Sequence, residues 1–159
     1  MSGITQATFP LKGRIPSTDG SYAELQKQLG VEFSAESGKR YRLVQAATAD
    51  GTGGRNKIYA WAAFGSHTVD LAGAGDPPVG VGLSAQESLA AGDLFWLQIG
   101  GRATLTDNGD TTAAGDTLIC GATGLSDVAS ATTLSGDVVG VALEAALASA
   151  TFTAQLRMS

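Results

Sequence analysis

The chain has 159 residues, of which 43% are hydrophobic and 22 are glycine, while only 16% carry charge against a usual ~25%. That balance suits one mainly β domain with many turns and few helix-stabilising charge pairs. Fifteen acidic against ten basic residues give a net charge of −5, which argues against a surface that tracks nucleic-acid phosphates, and no apolar run approaches the ~20 residues of a membrane span.

Residues 1–19 are polar, with isolated apolar side chains and prolines at 10 and 16, a pattern too sparse for an amphipathic element. They read as an extended arm leading into a single β-rich domain over 20–159. Phe9, Pro10, Leu11, Ile15 and Pro16 are its apolar anchors, with Lys12 and Arg14 beside them. Ser21-Tyr22-Ala23-Glu24 fits a capping box, and Tyr22, Leu25 and Leu29 share a face before Gly30, so the spacing predicts one short helix over 22–29 that must pack on a sheet.

RYRLVQAA (40–47) and KIYAWAAF (57–64) alternate as strands around ADGTGGRNK, which is turn chemistry throughout and reads as a hairpin loop. A phosphate-binding loop is excluded there, because Lys57 is followed by Ile58 and a strand where Ser or Thr and a helix are needed. Residues 69–78 look like a linker. The chain then enters PPVGVGLSAQESLAAGDLFWLQIGG (77–101), which recurs in shortened form as DVVGVALEAALASATFTAQLRM (137–158). Aligning Gly80 with Gly140 sets Phe95 to Ile99 over Phe152 to Leu156, so one strand-turn-strand unit occurs twice.

In each copy branched apolar residues alternate with glycine, and a bare glycine face suits close approach by another backbone. Gly100-Gly101 is expected to turn the chain, so that 102–106 returns as a separate strand. The acids of 107–116 lack calcium-loop spacing and make turns instead, as does the A-A-G-D sequence at Asp93 and Asp116. Cys120, the single cysteine, sits in the strand TLICG as a buried small hydrophobe. Residues 121–134 form a polar excursion, and strands at 138–143 and 151–158 close the second copy.

Chemistry is sparse. His67 is the single histidine, so most triads and histidine-rich metal sites lack their parts. Ser66, His67 and Asp70 read as an exposed strand end, and no carboxylate pair is marked for acid-base work. The expectation is a protein with no catalytic residue, metal or cofactor.

V-G-V-G-L (79–83), A-A-G-D-L-F-W-L-Q-I-G-G (90–101), A-A-G-D-T-L (113–118) and V-V-G-V-A-L-E (138–144) together resemble the head decoration, or capsid cement, proteins of tailed bacteriophages. The resemblance implies a compact β-barrel or sandwich-like module, often a homotrimer, on the outer surface of the virion, clamping neighbouring subunits of the major capsid protein. On that footing Phe9, Pro10, Leu11, Lys12, Arg14, Ile15 and Pro16 are the candidate capsid contacts, the two basic residues pairing with acidic shell surface. Gly80, Gly82 and Trp96 are the candidate trimer contacts. The alternative is a phage fibre or surface domain that binds host glycans or receptors, with Trp61 and Trp96 stacking on sugar rings.

Overall fold

The computed structural model describes residues 13–50, 53–109, 111–129 and 138–158. Helix α1 (Tyr22–Gln26) precedes β1 (Glu32–Ser34), β2 (Arg40–Ala46), β3 (Ile58–Ala63), β4 (Thr68–Leu71), β5 (Gly80–Gly82), β6 (Leu94–Thr106), β7 (Thr117–Cys120), β8 (Ser126–Val128), β9 (Val138–Ala142) and β10 (Thr151–Arg157). The protein is mainly β, as the composition requires.

β6 organises the rest because it belongs to two layers at once. Its N-terminal half pairs antiparallel with β2, and its C-terminal half with β10. From β2 the pairings run to β4, β3, β5 and back to β6, closing a five-stranded ring in which only β2–β4 is parallel. Beyond β6 the same sheet continues through β10, β9, β7 and β8.

Alternation along the strands sorts three apolar clusters. Val44, Tyr59, Val69, Phe95 and Leu97 fill the ring. Leu43, Leu94 and Trp96, on the opposite faces of β2 and β6, are covered by Ile15, Leu25 and Phe33. Ile58, Ala60 and Val81 point out of the ring on another side, where Leu118, Val139, Phe152 and Leu156 of the outer sheet lie over them.

The sequence repeat is a repeat of register. Val81 faces Gln98 and Gly82 faces Leu97 in the first copy; their counterparts Val141 and Ala142 face Gln155 and Ala154 in the second. The strand on the other side matches too: Ala46 N donates to Asp93 O (2.8 Å), and Asp107 N donates to Ala150 O (3.0 Å). Each copy's long strand starts from a turn that also precedes β7. Ala90–Asp93 and Ala113–Asp116 both place glycine third at φ +88° and +93°, and in both the aspartate carboxylate accepts the amide of the first residue at 2.8 Å. Leu147–Ala150 repeats the turn with Ser149 at φ +61°.

Several expectations are corrected. Residues 40–47 and 57–64 form strands but not a hairpin, because β4, from the supposed linker, lies between them. The loop that should have reversed the chain folds onto β5 instead, where Gly82 N donates to Lys57 O (2.8 Å) and Asn56 N to Gly82 O (3.0 Å). Gly100-Gly101 does not turn the chain. The ladder to β2 shifts register opposite these residues and Gly101 takes φ +82°, which makes a bulge that bends β6 while its pairing to β10 continues.

The helix stops at Gln26, and Ser21 makes no cap bond to it. Its hydroxyl is drawn to the Asp19 carboxylate (2.6 Å), which also accepts its amide (2.8 Å). The following turn still closes at Gly30 with φ +88°, as expected. The short strands β1 and β8 were not anticipated.

Candidate interaction surface

Of the seven residues named for capsid contact, Phe9, Pro10, Leu11 and Lys12 lie outside the described residues. The others are committed to the domain itself. Ile15 is fully buried and exchanges both backbone hydrogen bonds with Leu94 (2.8 and 2.9 Å). Arg14 Nε lies 2.7 Å from Oδ2 of Asp93, whose side chain is buried. Pro16 is half-buried. Ile15 is thus part of the packed domain, and its side chain is enclosed.

The glycine-faced strands also serve the chain's own packing. A Cβ on Gly80 would come within 2.6 Å of Leu97 Cβ, and one on Gly82 would strike the Gly54 carbonyl and Gln86 Oε1. Gly140 is held in the same way against the β10 backbone. Trp96 is 1% exposed in the cluster with Phe33 and Leu43. None of Gly80, Gly82 and Trp96 is on a free surface of the chain, and Trp96 is not exposed to stack on a sugar.

Beneath Gly82 lies a buried polar knot. Tyr59 OH donates to the Asp50 carboxylate, Gln86 Nε2 donates to Tyr59 OH at 3.1 Å, and Gly54 leaves the room that this hydroxyl occupies. Burial pushes both the Asp50 carboxyl and the Tyr59 phenol above their ordinary values. In Tyr59 the carboxylate acceptor adds to that rise, whereas in Asp50 the phenol's hydrogen bond opposes it.

The residues that looked like a triad do not assemble. Ser66 Oγ lies 3.1 Å from Thr68 Oγ1, and Asp70 accepts from Thr48 Oγ1 at 2.7 Å. His67 stands edge-on to Trp61 at 5.7 Å in the left-handed region, φ +55°. Among the described residues no group of three or more His, Cys, Asp or Glu is placed to hold a metal. Cys120 is buried, as its strand predicts.

A different feature stands out. Where β3 runs into a 3-10 turn at Phe64–Ser66, Trp61, Phe64 and His67 border an open cleft of about 570 Å³. Phe64 is 72% exposed and meets Trp61 edge-on at 5.5 Å, while the Arg42 guanidinium lies over the Trp61 ring at 6.0 Å. Arg157 lines the cleft as well, and Arg42 reaches Glu32 at 3.3 Å. Two arginines against one carboxylate leave the lining cationic in an acidic chain. An aromatic that ends a strand just before Gly-Ser was the available signal for Phe64. Arg157 and Arg42 are far apart in sequence, and nothing linear connects them.

These features define a small mainly β module. No protein-family model matches the sequence, and no curated protein matches it. Among solved structures it is similar to the N base of the head fiber protein gp8.5 of bacteriophage phi29, with a TM-score of 0.56 over 74% of this chain and 92% of that one. Sequence identity is 16%, so the likeness is one of fold.

Proposed function

We propose that this chain is a structural component of a tailed-phage head, a decoration module that sits on the outer capsid surface and holds neighbouring subunits of the major capsid protein together. The observation that carries this reading is the fold shared with a head fiber base; the repeat-borne resemblance to decoration proteins points the same way. Binding of this kind appears on an assembled lattice, where several modest contacts act together.

With Ile15 in the core, the cleft is the better shell-contact surface. Trp, Phe and Arg are the residue types that dominate interface energetics when a partner covers them, and the cationic lining suits an acidic shell loop. Purified protein should co-sediment with isolated heads, and Phe64→Asp should lower that binding at least tenfold while leaving the circular-dichroism melt unchanged. Full binding by Phe64→Asp would remove the cleft from the reading, and no binding to heads by the wild type would remove the reading itself. The alternative of a fibre base carrying host-directed domains is favoured by the same structural neighbour; its glycan version now rests on Trp61 alone, and a glycan array tests it.

A further inference from the structure

The two copies of the repeat differ at a sheet position that is filled in the first copy and, among the described residues, unfilled in the second. In the first copy, Leu94 pairs with Gln45 on one side and turns its N–H and C=O to the other, where Ile15 takes both. In the second copy the counterpart pair is Thr106 and Thr151, set by the matching bond from Asp107 N to Ala150 O. The Thr151 N–H and C=O must therefore point away from β6. Thr151 is exposed, and among the described residues nothing occupies the place that Ile15 holds beside Leu94. Leu143 and Leu147 stand at the same edge, 42% and 79% exposed.

The occupant of the first site shows what the second would accept. It is an apolar residue followed by proline, Ile15-Pro16, preceded by Arg14, which pairs with Asp93. The chain contains a second apolar-proline step, Phe9-Pro10, preceded by Thr8. The counterpart of Asp93 in the second copy is Ala150. Charge faces charge at the first site, and both members of the pair are neutral at the second.

Phe9 cannot reach the Thr151 of its own chain. It lies six positions before Ile15, which is anchored at Leu94, and six residue steps span about 20 Å at full extension. Thr151 lies across from Thr106, at the far end of β6. The strand between covers roughly 40 Å along its length, about twice that reach.

We propose that the β10 edge at Thr151 receives the Phe9-Pro10 segment of a second copy of this chain, by strand addition with Leu143 and Leu147 packing on the incoming Phe9. The contact is head-to-tail, so repeating it closes a ring or grows a filament, and the fold of each copy does not depend on it.

Light scattering on the full chain should give a multiple of 16.0 kDa, and Phe9→Asp should return the monomer mass with an unchanged melt. Because paired residues at such a site lie about 5.5 Å apart at Cα, within disulfide reach, a mixture of Phe9→Cys and Thr151→Cys proteins should oxidise to a cross-linked dimer. A monomeric wild type, an oligomer that survives Phe9→Asp, or a doubly substituted chain that closes its disulfide within one monomer would each overturn the proposal.

Discussion

Asp50 shows how a single side chain can couple this fold to pH. It is held beside Tyr59 under the Gly54 loop, and burial raises its carboxyl above the ordinary 3.8. The folded chain therefore holds that proton more tightly than the unfolded one. The resulting stabilisation is complete below the unfolded pKa and is lost as pH rises through the higher folded value. Urea midpoints should show this fall on the alkaline side of pH 3.8, and Asp50→Asn should flatten it. The sequence announced the loop as turn chemistry but gave no hint of the carboxylate beneath it, because Asp50, Tyr59 and Gln86 meet only after three separate segments have folded.

Among the elements, the turn that launches each long strand is the most legible unit. A-A-G-D at 90–93 and 113–116 was readable as a turn from glycine and aspartate alone, and the turns before β6 and β7 have the same bond pattern. The third turn, at 147–150, has lost both residues, with Ser149 in the left-handed region and Ala150 where an aspartate would accept the Leu147 amide. Ala150→Asp should restore that hydrogen bond and add about 0.5–1.5 kcal/mol, and Ser149→Gly should remove left-handed strain of about 1 kcal/mol; thermal melts of the two variants and their combination would measure both. Where an element's outcome depended on a distant partner, local reading failed. β3 looked like the mate of β2 because the two are adjacent in sequence, yet the parallel β2–β4 pairing separates them. Gly100-Gly101 looked like a reversal because glycine pairs usually are, yet with β2 and β10 paired on either side the strand bends there without reversing.

For the molecule as a whole, the mainly β class and the duplication were visible in composition and spacing, whereas the burial of Ile15 was not. Ile15 looked like part of a sparse arm, and its burial depends on Leu94, 79 positions later. Removal of residues 1–12 should leave the melting temperature of the folded monomer unchanged. Removal of residues 1–17 takes away a fully buried isoleucine and its two backbone hydrogen bonds, and should cost about 3–6 kcal/mol; chemical denaturation of the two truncations distinguishes them. The surface reading shifted for the same reason. Tryptophan at 96 is buried under Ile15 and Phe33 on the outer face of the ring, whereas phenylalanine at 64 falls in the turn after β3 and is exposed.

One strand common to ring and outer sheet has a mechanical corollary. Tension arriving at the cleft would cross to the opposite flank through β6, whose neighbours grip it on both edges and load its hydrogen bonds in parallel rather than one at a time.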